Sequence, residues 1–93
     1  MTLRFSEAAL RDLDDIMVFI ATHYPGSETA FETRLRQCLS RIERWPAGAQ
    51  AFSPREGVRV VPLIRYPYKI FYRANAGIID ILHIHHTARQ DPP

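Results

Sequence analysis

Cysteine is nearly missing from this chain of 93 residues, and its one example, Cys38, sits among apolar residues at helical spacing. A lone thiol builds neither a disulfide framework nor a CxxC metal knuckle, so Cys38 reads as a small buried hydrophobe in a reducing cytoplasm. Lysine is equally scarce, with Lys69 the single example among 12 Lys and Arg. No stretch approaches the ~18 apolar residues that a membrane helix needs. The opening MTLRFSEAAL also lacks the long apolar run of a signal peptide. Internal repeats, low-complexity tracts and domain linkers are absent as well. These gaps exclude a membrane span and a secreted disulfide scaffold, and they predict one cytoplasmic domain, residues 1–93. A domain of this length buries roughly 60–65% of the surface its unfolded chain exposes, which makes for a thin core.

What is present is ordinary for a folded protein, with 46% hydrophobic and 24% charged residues. The formal charge of +2 hides an asymmetry. Residues 1–54 hold six Arg against seven Asp and Glu, whereas residues 55–93 hold five Arg and Lys69 against Glu56, Asp80 and Asp91. A basic C-terminal half implies an anionic partner, either nucleic acid or an acidic protein segment.

TLRF opens as a short strand, after which Ser6 is placed to cap a helix running to about His23. Ala9, Leu13, Ile16, Met17 and Ile20 recur along one helical face. Glu7, Asp12, Asp14 and Asp15 fall mostly off that face, near the positive end of the helix dipole. Tyr24-Pro25-Gly26 breaks the chain, and Ser27 is expected to cap a second helix that Pro46 stops. In that helix Phe31, Leu35, Cys38, Leu39, Ile42 and Trp45 repeat the apolar spacing, with Trp45 expected to plug the core. Arg34, Arg41 and Arg44 form its solvated side. The period then shifts to two in VRVVPLI, YKIFYR and IIDILHIHH, with a hairpin turn at ANAG. The order is β-α-α-β-β-β. This α+β arrangement predicts a helix hairpin on one face of a small antiparallel sheet. Strict alternation sends Ile79 and Ile81 to one face of the last strand, and Ile78, Leu82 and Ile84 to the other. Neither face is polar, which predicts apolar area left for a partner to cover.

These residues carry a resemblance. Gly57-x-Arg59, Pro67-Tyr68-x-Ile70-x-Tyr72-Arg73, an aliphatic strand and His86-x-Ala88-Arg89 resemble the C-terminal half of the RelE/ParE family of type II toxin-antitoxin toxins. DLDDIMVFI and FETRLRQCLSRIERWP resemble the helix pair of that family. The resemblance implies a toxin that arrests growth when free and is neutralised by a cognate antitoxin in a hetero-oligomer. It implies operator DNA binding only through the antitoxin. Tyr68, Tyr72, Ile79 and Ile81 become candidate antitoxin contacts, with Tyr68 and Tyr72 sharing a strand face.

Two toxic activities occur in the superfamily. ParE-like members inhibit DNA gyrase, while RelE-like members cleave messenger RNA on the ribosome. A metal-independent ribonuclease needs a base, a cation for the phosphorane and an acid, roles that His86, Arg59, Arg65 and Arg89 have the chemistry to fill. Such nucleases usually carry more lysine and a C-terminal tyrosine, whereas here no tyrosine follows Tyr72. The Pro67–Arg73 run and the His-x-Ala-Arg ending favour the ParE branch and a protein target without enzymatic chemistry. A non-toxic interaction module using the same sheet face is a third reading.

His83 and His85 project from one strand face at i and i+2, a spacing that suits a metal. Sequence alone supplies no third ligand for them, since Cys38 belongs to the helix core and His23 and the carboxylates are unplaced. The family resembled uses no metal. No metal and no cofactor are therefore expected.

Overall fold

The computed structural model describes residues 2–93. Its elements are β1 (Thr2–Phe5), α1 (Glu7–His23), α2 (Glu28–Arg44), β2 (Gln50–Ala51), β3 (Val58–Leu63), β4 (Tyr68–Asn75) and β5 (Ile78–His86). Ser6 caps α1 as expected, its hydroxyl accepting the Ala9 N–H at 3.0 Å. Ser27 does not cap α2 in this way. Its backbone is already helical (φ −95°, ψ −2°) and its side chain makes no cap bond. The Glu28 carboxylate instead accepts the Gly26 N–H at 2.8 Å.

Strands β3, β4 and β5 pair antiparallel, as the alternating pattern predicts. β1, however, lies parallel to β5, so the five-stranded sheet is mixed rather than antiparallel, in the order β1-β5-β4-β3-β2. The reason is topological. After β1 the chain makes its helix hairpin and builds the other strands first, and β5 arrives beside β1 in the same direction. The two-residue edge strand β2 pairs with β3 and was too short to show in the sequence.

The helix pair covers one sheet face. Ala9, Ile16 and Ile20 of α1 and Phe31, Leu35 and Ile42 of α2 pack on Tyr68, Ile70, Tyr72, Ile79, Ile81 and Ile84. Burying each of these aliphatic side chains stabilises the fold by about 1.5–3 kcal/mol. The opposite face holds a smaller cluster of Phe52, Val58 and Phe71, flanked by Val60 and Leu82.

That second face is not the bare apolar area that alternation predicted. Phe71 is fully buried, with Phe52 edge-on at 4.9 Å, His85 at 5.6 Å and the Lys69 ammonium 5.7 Å from its ring centre. Lys69 in turn pairs with Asp91 as the C-terminal segment folds back, and Pro92 is buried there. The exposed large apolar side chains lie elsewhere, at Leu10, Val18, Phe19, Tyr24, Trp45 and Ile64. Trp45 is 58% exposed and therefore no core plug. The chain leaves the helix there (φ −134°, ψ 73°), turning the indole outward to where the Arg44 guanidinium lies 5.3 Å from its ring.

A bulge also resets β5. The register steps from Phe71↔His83 to Tyr72↔Ile81, leaving Leu82 unpaired. Ile84 consequently joins Ile79 and Ile81 under the helices, while Leu82 stays on the opposite face.

Candidate functional site

The two edges of β5 are unequal. Residues 78–81 run between β1 and β4, but β1 ends opposite Ile81 where the chain turns into α1. From Leu82 onward one edge of β5 has no strand beside it, and its polar backbone must be satisfied by other means. Ser6 and Asp12 do this. The Ser6 N–H donates to the Ile81 carbonyl at 2.9 Å and the Ser6 hydroxyl to the Leu82 carbonyl at 2.8 Å. Asp12 reaches from α1 and accepts the Ile84 N–H at 3.0 Å through Oδ2.

The same carboxylate meets three cationic or imidazole groups. Asp12 Oδ2 lies 3.7 Å from His83 Nδ1 and 3.9 Å from His85 Nε2, and Oδ1 lies 3.6 Å from an Arg89 guanidinium nitrogen. Asp12 is 12% exposed, and His85 only 3%. Among the described residues neither ring nitrogen of His85 has a hydrogen-bond partner. Burial foremost, then the Arg89 charge, holds the His85 ring below the usual imidazole range, against an opposing pull from Asp12. The Gln90 backbone also approaches the ring, without completing a hydrogen bond of proper geometry. The third donor that the sequence failed to place beside His83 and His85 is therefore Asp12. One ligand atom from each of the three lies within 4.8 Å of the others.

Alternation divides the histidines, and the bulge decides which side each takes. His86 faces the helix side, its ring edge-on to Tyr68 at 5.5 Å, and its Nδ1 accepts the Ala88 N–H at 3.0 Å. The Arg89 N–H donates to the His86 carbonyl at 2.9 Å. Both residues line a shallow depression of about 240 Å³ with Asp12, Ile16, Phe19 and Tyr68. The other two candidates of the nuclease reading do not join them. Arg65 is exposed in the turn between β3 and β4, held at φ 75°. Arg59 donates to the Ala49 carbonyl at 2.8 Å, and its register partner is Tyr72, four positions along β4 from the partner of His86. That offset alone is roughly 13 Å.

A second surface lies between α2 and β3. There a groove of about 360 Å³ is lined by Cys38, Arg41, Trp45, Val61, Ile64 and Tyr72 among others. Tyr72 has almost no exposed surface, and its hydroxyl donates to the Pro46 carbonyl at 2.6 Å, tying β4 to the end of α2. Burial raises both the Tyr72 phenol and the Cys38 thiol above their ordinary pKa, so both are neutral groups here. Tyr68, Ile79 and Ile81 are likewise buried beneath the helices. Of the four residues singled out as antitoxin contacts, Tyr72 floors this groove and Tyr68 lines the depression beside His86 and Arg89, while Ile79 and Ile81 are fully buried.

No described helix is long and apolar enough to cross a membrane. No curated protein matches the chain significantly. Among solved structures, a chain of the "Chromosomal ParDE TA system from P. aeruginosa" is similar, with a TM-score of 0.80 and 25% identity over 92% of this chain and 95% of that one. The family model described as "ParE toxin of type II toxin-antitoxin system, parDE" matches residues 3–91, from the first strand to the C-terminal segment that Lys69 pins. The match spans both helices and every strand, and the chain belongs to the ParE toxin family.

Proposed function

We propose that this ParE toxin inhibits DNA gyrase when free and is neutralised in the cytoplasm by a cognate antitoxin, forming a hetero-oligomer. The family match over residues 3–91 carries the reading. The α2–β3 groove supports an antitoxin seat. Its rim exposes Trp45 and Ile64, at 58% and 53%, while Arg34 and Arg41 flank the same side. Apolar side chains ringed by arginines suit a segment that is apolar on one side and acidic on the other. Beyond the two residues of β2, the outer edge of β3 from Val61 onward is also unpaired, and an extended segment can add to such an edge. Any operator DNA is bound through the antitoxin.

The ribosomal endonuclease reading gains no support from the geometry. Its base candidate His86 and Arg89 are together, but Arg59 is engaged at another part of the sheet. The test is expression of the chain alone in a bacterium, with plasmid supercoiling and protein synthesis followed separately within minutes. Loss of supercoiling while translation continues is the expected result. Cleaved transcripts and an immediate fall in translation would overturn it.

A further inference from the structure

We propose that Asp12, His83 and His85 form a site for one divalent first-row metal ion, zinc in chemical class, clamped between α1 and the open edge of β5. The inference concerns a cluster that the gyrase reading does not use, and it stands or falls apart from that reading.

Two independent observations carry it. The first is donor geometry. Asp12 Oδ2 is 3.7 Å from His83 Nδ1 and 3.9 Å from His85 Nε2. Around a tetrahedral zinc with bonds of about 2.0–2.2 Å, neighbouring donor atoms stand roughly 3.3–3.5 Å apart. The two carboxylate–imidazole edges thus need a contraction of only a few tenths of an ångström. The two imidazole nitrogens lie within 4.8 Å of one another, and a turn of the His83 ring, 26% exposed, would close that edge.

The second is the state of His85. An imidazole 97% removed from solvent normally finds a partner for its N–H and one for its lone pair, because an unmet buried polar group costs about 1–3 kcal/mol. Here both nitrogens are orphaned, and Nε2 is turned toward the carboxylate. An ion between them satisfies that nitrogen. Two imidazoles and one carboxylate suit zinc and its first-row neighbours, whereas calcium and magnesium prefer oxygen donors throughout. Orientation is built in, because the Ile84 N–H fixes Asp12 Oδ2 at 3.0 Å and leaves the carboxylate facing the rings.

Arg89 is the competitor. Its guanidinium, 60% exposed, lies 3.6 Å from Asp12 Oδ1, the other oxygen of the carboxylate that would hold the ion. Being exposed, it swings away without disturbing the core. A metal and Arg89 therefore oppose one another at Asp12, as two positive charges sharing one carboxylate. The ion would take the carboxylate that otherwise pairs with the C-terminal segment, coupling metal occupancy to the freedom of that segment.

The test uses the untagged full chain, stripped with a chelator and titrated with Zn²⁺ near pH ~7.5, where imidazoles are free to ligate. Calorimetry reads stoichiometry and affinity, thermal unfolding reads the Tm, and Co²⁺ substitution reads coordination from its visible absorption. Binding of one ion per chain with a rise in Tm is expected. His83→Ala should weaken binding by at least about tenfold, since even partners of metal ligands contribute that much. His83 is chosen because it is half-exposed, so its loss leaves the core intact. Arg89→Ala should tighten binding, which a purely structural role for these residues does not foresee. No heat and no Tm shift up to millimolar Zn²⁺ would overturn the proposal. So would one-to-one binding that His83→Ala leaves unchanged, because the ion would then sit elsewhere.

Discussion

The two halves of β5 make an instructive pair. Residues 78–81 are held by backbone on both edges, and their inward side chains, Ile79 and Ile81, are fully buried under the helices. Residues 82–86 have a strand on one edge only, and there side chains replace the missing neighbour: Ser6 at Leu82 and Asp12 at Ile84. Backbone pairing is indifferent to side-chain identity, so the first half needs only apolar residues of suitable shape. The second half requires particular polar groups at particular places. A carboxylate brought in to satisfy one N–H then gathers His83, His85 and Arg89 around itself. Where a sheet runs out of strands, chemistry collects.

If this contrast holds, substitutions in the two halves should differ in size. Ile81→Ala, in the doubly paired half, should cost about 2–5 kcal/mol in a denaturant titration, as a fully buried aliphatic does. Asp12→Ala strands a backbone N–H near the surface and should cost less, about 1–3 kcal/mol. Ser6→Ala, which removes both the helix cap and the bond to Leu82, should fall near ~1–2 kcal/mol. Both edge variants are measured with chelator present, so that only the backbone role is read. An Asp12→Ala cost equal to that of Ile81→Ala would erase the distinction drawn above. The smallest effect belongs to the turn before β5, where Ala76 sits at φ 51° next to Gly77 at φ 80°. Ala76→Asn, a residue more at ease in that conformation, should raise stability by a few tenths of a kcal/mol. A loss there would show that the turn is held by something other than its own backbone preference.

The same contrast explains what was legible in the sequence. The helices were readable because their apolar residues recur at helical spacing, and β3, β4 and β5 because theirs alternate. Each of these is a local pattern. The parallel pairing of β1 with β5 joins residues 76 positions apart, as in Thr2↔Ile78, and no local period records it. The bulge at Leu82 was hidden for a related reason, since an apolar residue fits either face. Strict alternation therefore put Ile84 on the wrong side. Trp45 was misplaced because helical spacing was extended one residue past the point where the helix ends.

Asp12 is a different kind of miss, because its signal was present. It lies three residues after Ala9 and four before Ile16, within the apolar stripe of α1 rather than opposite it. A carboxylate in that position has to find a partner as the helix docks. Treating it as one more acid near the helix start lost the one residue that joins α1 to the histidines. The toxin family itself was legible through the order and spacing of its motifs, which the match over residues 3–91 bears out.

The unpaired Leu82 has a further consequence, for how this gene can change length. Deleting that one codon would restore unbroken alternation through β5 without shortening any neighbouring element. The downstream residues would keep their partners on β4 and their present sides, because Leu82 is the one residue of the strand that none there opposes. Ile84 would stay under the helices opposite Ile70, and His83 and His85 would stay opposite Phe71 and Lys69. The last strand can thus lose a residue at position 82 with no later residue changing sides, at the cost of the Leu82 contact with the Phe52, Val58 and Phe71 cluster.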